Sequence, residues 1–169
     1  MSRATKATLI KLLTHTLFLA VLYVLQSMVF SRLRIFGASP LIIPLAVVGV
    51  AIFQGAGWGG GFGIAAGVMC DIAFSETTIL FTVLLTILGS AVGLLADFFL
   101  ARGFPSFLLC CVISLLIIAF LQMFSFLMFY DVDKIILLRT GLLQTLYSCL
   151  FVLPVYNISR RLSRKQRTL

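Results

Sequence analysis

The charges of this chain leave long intervals that hold almost nothing but apolar residues. From Leu12 to Phe30 only His15 and Gln26 are strongly polar, and from Phe104 to Tyr130 there is no charge at all. A helix needs about 20 such residues to cross the hydrocarbon core of a bilayer. Hydrophobic residues make up 62% of the sequence, against roughly 45–50% in soluble domains. A soluble domain of this size has no interior large enough to hide them. The pattern implies an all-α integral membrane protein built of little besides membrane helices, in a single domain over residues 1–169. No stretch is long and polar enough for a separate soluble domain.

Six spanning segments can be drawn, at about 9–30, 40–54, 58–74, 79–101, 106–130 and 135–158, followed by a basic tail at 159–169. Polar or glycine-bearing joints separate them: Ser31 to Ser39, Gly55 to Gly61, Ser75 to Thr78, Arg102 to Pro105, and Asp131 to Lys134. The second and third are the weakest as helices, because glycine is a poor helix former and the apolar core of each is short. A five-span count with one re-entrant segment is the alternative. Counting Lys and Arg decides between them. With the amino terminus inside, the inner segments hold nine basic residues and the outer loops three, with Arg139 left inside the last helix. Both termini inside requires an even number of crossings, so the bias favours six spans in the bacterial inner membrane with cytoplasmic termini.

A net charge of +8 invites comparison with nucleic-acid binders, but its placement argues otherwise. Arg160, Arg161, Arg164, Lys165 and Arg167 crowd the tail, and Arg3, Lys6 and Lys11 precede the first apolar run. Such clusters mark a cytoplasmic face and attract anionic lipid head groups. The first run is too long for a signal-peptide core, and no small-x-small cleavage site follows at Phe30-Ser31-Arg32. Cys70, Cys110, Cys111 and Cys149 lie in apolar surroundings without a CxxC spacing and read as small buried hydrophobes.

No catalytic or metal-binding constellation stands out, so no enzymatic activity, cofactor or metal is expected. His15 is the one histidine, without an acid near it in sequence, and reads as an interfacial side chain whose polar edge reaches the head groups. The glycine joint around Trp58 lacks the lysine of a phosphate-binding loop and joins no strand to a helix. Asp71, Asp97 and Arg139 lie inside or beside apolar segments, where a charge near the bilayer centre costs roughly 2.5–3.5 kcal/mol and seeks a partner. The topology puts Asp71 and Arg139 at similar depth, so they are expected to pair, and Asp97 is expected to sit beside Arg102. Gln26, Gln54, Gln122 and Gln144 read as amides bonding across helices.

Glycines recur at four-residue spacing: Gly55/Gly59, Gly57/Gly61, Gly59/Gly63, Gly63/Gly67 and Gly89/Gly93. Small residues one turn apart let helix backbones approach closely in lipid. The third and fourth helices are therefore expected to pack tightly, with each other or around a partner's helix. A groove lined by Gly63, Gly67, Gly89 and Gly93 is the expected docking place.

These features together resemble the bacterial rod shape-determining protein family MreD. The resemblance rests on SPLIIPLAVVGVAIFQG with its helix-starting Pro44, on GWGGGFGIAAGVMCD with the step from Gly67 to Asp71, on LGSAVG, and on PVYNISRRL with Pro154 and Tyr156 before the basic tail. Ser75-Glu76-Thr77-Thr78 departs from the glycine that members often carry after the aspartate. The resemblance implies a six-helix bundle similar to the substrate-binding subunits of energy-coupling-factor vitamin transporters. It also implies a non-enzymatic component of the cell-elongation machinery. Its partners would be an MreC-like single-span protein, an MreB-like filament protein and peptidoglycan synthases. The rival is a vitamin-binding subunit itself. Such subunits often dock through alanines four residues apart in the first helix, and no such pair occurs here.

Overall fold

A computed structural model describes residues 3–30, 41–74, 80–98, 103–129 and 134–167. Among these residues seven α-helices follow in order: α1 Arg3–Val24, α2 Ile43–Gln54, α3 Ala56–Phe74, α4 Leu80–Phe98, α5 Phe104–Phe129, α6 Lys134–Leu150 and α7 Val152–Arg167. A π-helical turn, Leu25–Phe30, continues α1.

The centre is α2. Every residue from Ile43 to Ile52 is buried, as expected of a helix that is apolar all round. It packs against α3, α4, α5 and α7, and more lightly against α1. Its start is set by Pro44 in the first turn, where a missing N–H has no intrahelical partner to lose. The amides just ahead of it are buried but satisfied. Leu41 N donates to Ser148 Oγ of α6 at 2.9 Å, and Ile42 N donates to Gln26 Oε1 of the π-helical turn at 3.0 Å.

The far end of α2 is set by Gly55. Its φ of 89° lies in the left-handed region, and its amide caps the helix by donating to Ala51 O at 2.9 Å. A Cβ there would also meet Asp97 Oδ2 of α4 at 2.9 Å. One residue thus joins α2 to α3, and only glycine meets both demands.

Among the described residues, two helices are long and apolar enough to cross a membrane: α4 over Phe81–Phe98 and α5 over Phe104–Phe124. A third candidate is the pair Arg139–Leu150 and Val152–Ser163, bent by 48° between them. The apolar part of α1, Leu12–Met28, is shorter, and so is α2. At 12 residues α2 extends about 18 Å, well short of the roughly 30 Å hydrocarbon core. The described helices thus include two or three candidate spans, where the sequence predicts six.

The last predicted segment is also redrawn. What reads as one helix at 135–158 with a tail at 159–169 is two helices broken at Phe151, and the second continues to Arg167. Pro154 explains the bend: it has no N–H for the Leu150 carbonyl, and its ring would collide with that group. The chain tightens instead, with Phe151 N donating to Ser148 O at 3.0 Å.

Replacing Gly55 with alanine is expected to destabilise the protein by more than about 1 kcal/mol. Gly61→Ala, at a helix position where an added Cβ meets nothing within 4 Å, is expected to be neutral or stabilising by up to ~1 kcal/mol. Thermal unfolding in detergent checks both; equal effects would mean that the joint is not strained by a side chain.

Candidate functional site

Five glycines of the sequence stripe, Gly59, Gly63, Gly67, Gly89 and Gly93, meet in the antiparallel seam of α3 and α4. An added Cβ would come within 3 Å of Gly89 O at Gly59, of Leu85 O at Gly63, of Thr82 Cα at Gly67 and of Ala56 Cα at Gly93. Each step of about four along α3 matches a step back along α4, so the two backbones touch over the whole seam. The expected docking groove at Gly63, Gly67, Gly89 and Gly93 is therefore filled by the protein's own helix pair. Gly57 and Gly61, also part of the spacing pattern, face open space.

Asp71 closes the end of this seam. Its Oδ1 accepts from Phe81 N at 3.1 Å, and its Oδ2 accepts from Thr82 N at 3.0 Å and from the Thr82 hydroxyl at 2.6 Å. A carboxylate on the free amides of a helix N-terminus satisfies orphan donors and complements the helix dipole. The expected ion pair with Arg139 does not form: Asp71 is held by α4, and Arg139 lies exposed on α6 with no partner among the described residues. Sequence spacing could not reveal this, because the acceptor sites of Asp71 are filled by backbone amides that carry no residue-specific signal.

A second cluster lies where α1 meets the joint between α2 and α3. His15 is buried rather than interfacial, at 4% exposure. The Gln54 amide nitrogen donates to its Nε2. Trp58 and Phe62 flank the ring at 5.6 and 6.0 Å between centroids. Asp97 is exposed, with its carboxylate against Gly55; its expected neighbour Arg102 lies outside the described residues, as does the turn at Ser75 to Thr78. Two of the four flagged amides, Gln26 and Gln54, do bond across helices.

A third cluster surrounds Tyr156 on α7. Its ring packs against Phe53, Phe104 and Phe107 at 5.7, 5.3 and 5.2 Å, and the Arg160 guanidinium lies 5.9 Å above it. Val155, Tyr156, Ser159 and Ser163 face inward at helical spacing while Arg160 and Arg161 stay exposed. The basic tail is thus an amphipathic helix seated on α2, where Gly49 leaves room for Ser159. Tyr156 is an anchor of the fold, a role its place in the sequence motif does not disclose.

Finally, α5 and α6 border an apolar groove of about 600 Å³. Among the described residues, no three His, Cys, Asp or Glu side chains converge as metal ligands would. Cys70, Cys110 and Cys111 are buried and Cys149 half-buried, all unbridged. Comparison with known proteins finds no matching family model, no matching curated protein and no matching solved structure.

Asp71→Ala is expected to cost about 0.5–2 kcal/mol, the range for losing a helix cap. Joint exchange of the charges, Asp71→Arg with Arg139→Asp, is expected to be no more stable than Asp71→Arg alone, by thermal unfolding in detergent. Recovery in the double exchange would restore the ion pair as the role of Asp71.

Proposed function

We propose that this chain is a non-enzymatic scaffold of the bacterial cell-elongation machinery, of the kind MreD proteins provide, and that it binds an MreC-like single-span partner. What supports the reading is the filled interior. The longest run that carries the resemblance, Pro40 to Gly93, holds α2, the Gly55 joint and the α3–α4 pair. Within them Ile43 to Ile52 occupy the middle of the bundle completely. A vitamin-binding subunit of similar helix count needs an enclosed chamber for its ligand, whereas α2 is buried among its neighbours from Ile43 to Ile52. This packed centre is suited to holding neighbours in place, not to enclosing a small molecule.

In this reading the chain is a multi-span protein of the inner membrane with both termini in the cytoplasm, and α2 is a short buried helix within the bundle. The exposed Arg160 and Arg161 of α7 then face anionic lipid at the inner surface. The partner's helix does not enter the α3–α4 seam, which is closed; it lies against an outer apolar face. In lipid such contacts depend on shape and short-range attraction, because apolar faces gain nothing from leaving the hydrocarbon. An MreB-like filament and peptidoglycan synthases would be reached through the same assembly.

Purification of the native protein from its own rod-shaped host in mild detergent is expected to bring an MreC-like single-span protein with it at near-equal amounts. Depletion of the chain is expected to turn rods into rounded cells. Tight, saturable vitamin binding by the isolated protein, with no partner retained and cell shape unchanged, would replace this reading with the transporter one.

A further inference from the structure

Arg139 has no counter-ion among the described residues. It is exposed on α6, and it makes no ion pair or hydrogen bond among the described residues. The carboxylate that the sequence offers it, Asp71, is held by the N-terminus of α4. Its depth follows from the contact between α5 and α6. A Cβ on Gly141 would lie 3.7 Å from Ala119 Cβ, so in this antiparallel pair Arg139 stands level with about residue 121. Along its own helix Arg139 is five positions from the start of α6 at Lys134, about 7.5 Å. The guanidinium therefore starts between one and two turns from the beginning of α6, and its stem can extend toward the head-group layer.

The groove between α5 and α6 runs past this level, from Leu116 to Met123 along α5. Leu116, Phe120 and Met123 of α5 form one wall, and Gly141, Leu142 and Thr145 of α6 form the other. The hydroxyl of Thr145 is turned to its own helix, donating to Gly141 O at 2.9 Å, so the groove offers no free polar group from that residue. Leu142 follows Arg139 by three positions and shares its face of the helix. A cation on the same helix face as Leu142, beside an apolar channel, matches one molecule of the surroundings: a phospholipid with net negative charge. We infer that α5 and α6 hold such a lipid, its acyl chain in the groove and its phosphate on Arg139. Two observations carry this: the apolar channel, and beside it an exposed cation with no partner among the described residues. A partner helix would fill the channel but bring no anion at that level by necessity. The inference stands apart from the scaffold reading and survives or fails without it.

The test is native mass spectrometry of the full chain after exchange into detergent with defined lipid. Dioleoyl phosphatidylglycerol is expected to remain bound to the unaltered protein. Arg139→Gln is expected to lower the retained fraction about fivefold, while Arg139→Lys keeps most of it. Leu142→Trp, at an exposed wall position away from the core, is expected to expel the lipid with Arg139 intact. Circular dichroism of each variant confirms that the helices persist. Equal retention of dioleoyl phosphatidylcholine would overturn the inference, as would full retention by Arg139→Gln. Equal thermal protection by glycerol phosphate, which has the anion but no acyl chain, would overturn it too. So would a crosslink showing that a second protein helix occupies the groove.

Discussion

Contact at backbone range between α3 and α4 is the interaction on which the rest of this molecule depends. In lipid, apolar side chains gain nothing by leaving hydrocarbon for one another, so helices hold together through close packing and hydrogen bonds. Dispersion attraction falls away within a fraction of an ångström of gap. Gly59, Gly63, Gly67, Gly89 and Gly93 remove the atoms that would hold the two backbones apart. With that pair closed, Asp71 reaches the first amides of α4, and the Gly55 joint lays α3 alongside α2.

The same scarcity of water explains how the polar groups are arranged. Backbone donors at buried helix starts take side-chain acceptors from neighbouring elements: Gln26 and Ser148 at α2, Asp71 at α4. Hydroxyls within helices turn to the carbonyl one turn back, as Thr86, Ser90, Thr145 and Ser148 do. Unsatisfied groups in a bilayer cost several kcal/mol each, so these bonds keep the interior tolerable. The described cations Arg139, Arg160 and Arg161 remain on the surface. They are where the chain can meet charged lipid, and the apolar faces between them are where it can meet other membrane proteins.

The stripe of glycines disclosed that two helices approach closely, since nothing else justifies so many poor helix formers in an apolar run. It did not disclose whose helix fills the approach. Asp71 and Arg139 were legible as charges needing partners, yet the pairing inferred from equal depth fails because backbone amides satisfy Asp71 first. His15 read as interfacial from its place near one end of an apolar run; the side chain is instead enclosed by Gln54, Trp58 and Phe62, residues some 40 positions away in the chain.

Composition and periodicity by themselves determined helices dominated by apolar runs, a glycine-marked break after the second segment, drawn as Gly55 to Gly61 where the structure needs Gly55 alone, and a basic carboxyl end. These follow from local physics: hydropathy, glycine's backbone freedom and the distribution of charge. The three-dimensional arrangement alone decided that α2 is short and central, that the last apolar run bends at Phe151, and that the basic tail is a helix anchored by Tyr156. The reason is that burial depth and hydrogen-bond partners depend on which segments become neighbours. In a chain apolar on nearly every face, hydropathy cannot rank one neighbour above another.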